Sequence, residues 1–205
     1  MHIVDGALAN EVVIAGAVLA AGGVALGLKK LPLEKIPAAG VLSATFFVAS
    51  LIHVPIGPSS VHLILNGLAG LILGWAAFPA LFVGLLLQAA FFGFGGVTVL
   101  GVNTLNIALP AVLAGLIFGP LISRASPMIG AVWAGIGGAF AIAATTLLVA
   151  VSLMRSGDEF VPAAQFVFFA HIPVMAIEAL LSAAAVYLAR QVKPDLFATI
   201  TGAKA

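Results

Sequence analysis

From Ile36 to Ser123 the chain runs for 88 residues without one Asp, Glu, Lys or Arg. At the quarter of charged residues usual in soluble domains, about 20 would fall there. Over all 205 residues, 63% are hydrophobic and 7% charged, and the mean hydropathy is +1.27. Such a chain is neither a soluble globular domain nor a disordered one. It reads as an integral membrane protein, with a single membrane domain over residues 1–205 and the lipid bilayer as its first partner. The net charge of +1 leaves no basic patch to neutralise phosphates, which excludes nucleic acid. Cysteine is absent, so disulfides, thiolate metal sites and iron–sulfur ligation are excluded. A bound metal must be held by nitrogen or oxygen.

At about 20 residues per span the uncharged interval holds four helices. Breaks fall at Pro32/Pro37, Pro55 to Pro58, Phe78-Pro79, Gly93 to Asn103, Arg124 to Pro127 and Arg155 to Pro162, where proline lacks its N–H or glycine frees the backbone. The expectation is an all-α polytopic membrane protein. A tail at 1–9 precedes seven transmembrane helices at about 10–28, 38–54, 60–77, 79–94, 104–122, 128–153 and 163–190. A β-barrel would alternate apolar and polar residues, and runs such as Ile14 to Leu28 do not.

Lys and Arg set the orientation. With the N-terminus outside, Lys29, Lys30, Lys35, Arg124, Arg190, Lys193 and Lys204 are cytoplasmic, and only Arg155 lies outside, beside Asp158 and Glu159. An odd number of spans then puts the C-terminus inside. The first segment does not read as a cleaved signal peptide: Asp5 and Glu11 precede its apolar core, and Lys29-Lys30 follow it. With His2 behind the initiator, the mature chain is expected to begin with a free amino group on Met1. Small residues crowd the spans, as at Ala20-Ala21-Gly22-Gly23 and Gly135-Ile136-Gly137-Gly138. They suit close helix packing or a sliding surface for a partner subunit. No internal repeat is visible, and no Walker A sequence, so the chain does not itself hydrolyse ATP.

Four histidines are present: His2, His53, His62 and His171. In this topology the first three sit at the outer ends of helices. A chain beginning Met-His offers one ion three nitrogens in sequence: the Met1 amine, the deprotonated His2 amide and the His2 imidazole. The chelate rings have five and six members. Three nitrogens in a plane with one open position suit Ni(II), Cu(II) or low-spin Co(II). Zn(II), which prefers a tetrahedron, is disfavoured. Amine and amide must lose protons, so affinity should fall in acid. Ser59 or Ser60 reads as the N-cap of span three, with His62 in its first turn. The helix dipole there keeps that imidazole neutral, able to fill the fourth position. His53, ending span two, is a second ligand or a supporting partner. The plain alternative is a set of interfacial histidines in contact with water or headgroups. The segment Gly95 to Thr104 follows no phosphate-binding pattern, and it either shapes an outer pocket or is a surface hairpin. Deeper in the membrane, Glu178 and Gln88 read as a buried polar network near His171.

Met1-His2-Ile3-Val4-Asp5-Gly6, Gly57-Pro58-Ser59-Ser60-Val61-His62 and Gly95-Gly96-Val97-Thr98-Val99-Leu100-Gly101-Val102-Asn103-Thr104 together resemble the CbiM/NikM family. Its members are substrate-binding components of energy-coupling factor transporters for cobalt or nickel. The resemblance spans nearly the whole chain. It implies a transporter and not an enzyme, a multi-pass protein of the prokaryotic plasma membrane that supplies cobalamin biosynthesis. It implies metal ligation by Met1, His2 and His62, with His53, Ser60 and Asn103 as supporting residues. The metal is cargo and no resident cofactor is implied. Implied partners are a transmembrane T component, cytoplasmic ATPase subunits and a small N component. Phe94 departs from the pattern, since many relatives carry His there. The form of the Gly-Pro-Ser-Ser-Val-His segment favours cobalt over nickel. Two rivals fit less well. An intramembrane metalloenzyme would need a His-Glu-x-x-His helix, and an ion-coupled secondary transporter would gather its polar residues at the midplane.

Overall fold

The computed structural model describes residues 2–51, 53–56, 59–194 and 196–197. The chain forms α1 (Asn10–Lys29), α2 (Ile36–Ala49), β1 (His53–Ile56), β2 (Ser59–His62), α3 (Asn66–Leu73), α4 (Ala77–Phe92), α5 (Leu100–Arg124), α6 (Pro127–Met154), α7 (Val161–Ala170) and α8 (Ile172–Val192). It is an all-α membrane protein apart from the small β1–β2 hairpin. Among the described residues, five stretches are long and apolar enough to cross a bilayer: Asn10–Lys29, Asn66–Phe92, Leu100–Arg124, Pro127–Met154 and Asp158–Val192.

Helices α5 and α6 form the centre. α8 packs along α6, and α1, α3 and α4 pack against α5. Contact is close because small residues face it. The buried residues of α1 are Gly16, Ala20, Gly23 and Gly27, one stripe at helical spacing. Gly16 lies against Val102, Gly23 against Phe78 and Gly27 against Pro79. A Cβ at Gly70 of α3 would overlap the backbone of Ala111 in α5. Large apolar side chains such as Ile14, Val18, Leu116, Ile136 and Leu180 point outward, as a helix bundle solvated by lipid requires.

Three expected helices differ from the observed ones. The expected span 38–54 stops at Ala49, and the expected span 60–77 begins only at Asn66. Between them β1 pairs antiparallel with β2, His53 opposite His62 and Val54 opposite Val61. Pro55 has no N–H for a helix ladder, and β-branched Val54, Ile56 and Val61 suit extended chain. The expected span 163–190 is two helices, α7 and α8, meeting at His171, with Pro173 in the first turn of α8.

Helix α3 has no side-chain N-cap of its own, and Leu65 before it has a left-handed φ of +56°. Its entry is held from outside: Glu178 Oε1 in α8 accepts from the Ile64 and Leu65 N–H groups at 2.6 and 2.8 Å. At its exit, Lys35 Nζ donates to the Ile72 carbonyl at 2.7 Å, a cation at the end where the helix leaves carbonyls unpaired.

Candidate metal centre

Residues 2–9 fold back onto the bundle. The Ile3 side chain is fully buried. Its N–H donates to Asn103 Oδ1 at 2.9 Å, and its carbonyl accepts from Asn103 Nδ2 at 3.0 Å. The Asn103 amide, in the first turn of α5, thus pairs with the tail as another peptide would. The Asp5 N–H donates to the Gly95 carbonyl at 2.8 Å, and Asp5 Oδ1 accepts from the Thr98 hydroxyl at 2.5 Å. Gly95 and Gly96 have φ of +77° and +117°. A Cβ at Gly95 would stand 2.8 Å from Asn103 Nδ2, and one at Gly96 would overlap the Asp5 carboxylate. The Gly-Gly pair is what lets the tail lie flat on this loop.

This strapping carries His2 inward. Its side chain is buried and stacks on His62, with ring centroids 4.7 Å apart and planes inclined by 24°. The His2 N–H donates to Ser60 Oγ at 3.4 Å, and Nε2 lies 2.6 Å from Gln88 Oε1. His62, at the end of β2, donates from Nδ1 to the Leu63 carbonyl at 2.8 Å. A cavity of about 210 Å³ adjoins, lined by His2, His53, Ser59, Ser60, Phe94 and Gly95 among others. Burial pushes the His2 imidazole down to about 3 and holds His62 well below the ordinary histidine value. Both rings therefore stay neutral, the form that can donate a lone pair to a metal.

The fold brings His2, Ser60, His62 and Asn103 to one place. Met1 lies outside the described residues. His53 pairs with His62 in register, but its ring meets Phe94 edge-on at 4.4 Å. Phe94 in turn sits 6.0 Å from the His2 ring. Ser59 and Ser60 are strand residues and not N-caps, and His62 precedes α3 by four residues. Burial, and not a helix dipole, keeps His62 neutral.

Gln88 and Glu178 do not form the expected network. Gln88 turns to the tail, while Glu178 holds the Ile64–Leu65 backbone. His171 is buried at the α7–α8 junction, its Nδ1 donating to the Val167 carbonyl at 2.7 Å. The place of Gln88 was not legible in advance. Its one signal is a lone amide side chain in an apolar helix. Among the described residues, no group of three or more His, Cys, Asp or Glu side chains gathers. An ion held by these two imidazoles would therefore draw further donors from the main chain or from the end of the tail.

A family model described as the cobalt uptake substrate-specific transmembrane region, CbiM, matches residues 2–196. A protein of Haemophilus influenzae described as "Putative metal transport protein" is 42% identical over 206 residues, covering 96% of each chain. The fused nickel transport protein NikMN of Rhodobacter capsulatus is 38% identical over 106 residues, which are 51% of this chain and 28% of that protein. A crystal structure of a transition metal transporter superposes with a TM-score of 0.76 at 26% identity, covering 94% of this chain and 93% of the other.

Proposed function

Since this chain belongs to the CbiM family, a family of transport proteins and not of enzymes, we propose that it is the metal-capturing component of an uptake transporter. Its cargo is a divalent ion that accepts planar nitrogen ligation, cobalt(II) in the first place. The observation that carries this reading is the inward tail, which brings a buried His2 ring to 4.7 Å from His62. The donors are the Met1 amine, the His2 amide nitrogen, the His2 imidazole and the His62 imidazole. Metal–nitrogen bonds of roughly 2.0–2.1 Å put neighbouring donors about 2.9 Å apart. Two rings this close can supply such a pair. Asn103, on Ile3, holds the tail in register, Ser60 meets the His2 N–H until that nitrogen gives up its proton to the ion, and His53 supports the rim.

Nickel(II) is the second reading, favoured by the match to a fused nickel transport protein. The ion enters from outside, with the N-terminus outside, the C-terminus inside and seven membrane segments in a prokaryotic plasma membrane. Release into the cell is driven by a T component and ATPase subunits, with a small N component, feeding cobalamin biosynthesis in the cobalt case.

The test is to place one extra residue before Met1. The amine then moves away from the ion, and binding of cobalt or nickel in equilibrium dialysis is expected to vanish. Unchanged affinity would sink the planar site. Metal analysis of protein offered both ions together decides between them.

A further inference from the structure

An imidazole bonds a metal through its unprotonated nitrogen, and what holds the other nitrogen decides which one that is. In a chelate that includes the His2 main-chain nitrogen, only Nδ1 closes the low-strain ring, through Cα, Cβ and Cγ. Nε2 points away from the backbone. His2 can serve the proposed function only with its proton on Nε2 and its ring turned so that Nδ1 faces the ion.

Gln88 supplies both conditions. It is fully buried on α4, and its Oε1 lies 2.6 Å from His2 Nε2. Its own orientation is fixed on the far side: Gln88 Nε2 faces the Phe46 and Phe47 carbonyls at 3.5 and 3.3 Å. Both carbonyls lie in the last turn of α2; that of Phe46 also accepts from the Ser50 N–H and hydroxyl, while that of Phe47, the nearer of the two, belongs to the turn where a helix leaves carbonyls without internal partners. They can only accept, so the Gln88 NH₂ must face them. Its carbonyl oxygen must then face His2, and His2 Nε2 must be the donor. Helix end, amide and imidazole form one chain in which each member fixes the next.

We propose that Gln88 is a positioning residue of the metal site, holding His2 in the Nε2–H tautomer with Nδ1 presented to the cargo ion. The proposal rests on the functional reading above. Groups that orient a metal-binding histidine from behind are worth roughly 10- to 100-fold in affinity.

The experiment compares the full-length wild type, Gln88→Leu and Gln88→Glu for nickel(II) and cobalt(II) affinity and for the visible absorption of bound nickel(II). Gln88→Leu keeps the bulk and removes the acceptor. It is expected to bind roughly 10- to 100-fold more weakly, with a shifted ligand-field band. Gln88→Glu, kept protonated by its burial, offers an O–H to the α2 carbonyls and an oxygen to His2 at the same reach, and is expected to recover the wild-type band. A merely structural glutamine would not shift the band or be rescued in this way.

Nitrogen NMR on ¹⁵N-histidine-labelled wild type, kept with a chelator, needs no variant to fold. His2 is expected to carry its proton on Nε2, and a proton on Nδ1 would overturn the proposal. Equal affinity and equal spectra for wild type and Gln88→Leu would overturn it while leaving the metal reading intact. Failure of the wild type to bind either ion would remove both.

Discussion

Each imidazole here is committed by a partner that can only accept. His62 donates from Nδ1 to the Leu63 carbonyl, so its basic nitrogen is Nε2, at the far tip of the ring. His2 donates from Nε2, so its basic nitrogen is Nδ1, next to the backbone. One ring reaches outward from its strand and the other reaches back toward its own main chain. That suits a fourth ligand closing a square whose other three corners belong to the tail. His53 is different in kind: its Nδ1 faces the Leu51 carbonyl at a long 3.4 Å and its ring packs on Phe94. His62→Ala is accordingly expected to lose 100-fold or more in metal affinity, beyond the roughly 10- to 100-fold of a supporting residue. His53→Ala is expected to lose no more than about tenfold. Isothermal titration of the two variants checks this, and equal losses would move His53 into the ligand set.

The tail behaves as an element in its own right, docked by the Ile3–Asn103 pair and the Asp5–Gly95 bond. Docking also requires a neutral His2. In the free tail its imidazole titrates at the ordinary value of 6.5, and in the docked tail at about 3. Above the ordinary value neither form holds the proton and docking is at full strength. Below it the free tail takes up a proton that the docked tail refuses, so docking weakens by about tenfold per pH unit until the lower value is reached. The hydrogen-exchange protection factor of the Ile3 amide, measured with a chelator present, is expected to fall on that slope, and a flat profile would mean that His2 is not buried. Helices α1, α4, α5 and α6 were legible in the sequence because apolar runs and proline breaks are local signals. The short motifs that nominate His2, His62, Ser60 and Asn103 as candidates were local signals too, and the structure brings these residues together. What the sequence hid is held by distant partners. The entry of α3 at Asn66, with left-handed Leu65 before it, depends on Glu178 in α8. The break at Pro55 to Pro58 was visible, but the residues of β1 and β2 beside it read as the ends of two spans, because their pairing is not a local signal. Gln88 acquires meaning only once the tail folds onto it.

At the scale of the molecule, the site and most of the cations occupy opposite ends. The tail, the β1–β2 hairpin, the end of α4 and the start of α5 meet around His2. At the other end lie Lys29, Lys35 and Arg124, at the end of α1, beside the start of α2 and at the end of α5. Arg190, in the last turn of α8, donates there to the Ile122 carbonyl. Arg155 and its neighbours Asp158 and Glu159 close α6 and open α7 at the site end. Positive charge is retained on the cytoplasmic side of a membrane, which is the ground for the proposed orientation, with the site end facing out toward the ion to be captured. The chain contains no cysteine, so a single introduced thiol reports its own side of the membrane without background. Glu159→Cys is expected to react with a membrane-impermeant maleimide on intact cells. Lys193→Cys, beyond the end of α8, is expected to react only after the cells are permeabilised. The reverse pattern would turn the metal site toward the cytoplasm, and capture of the ion from outside would fall with it.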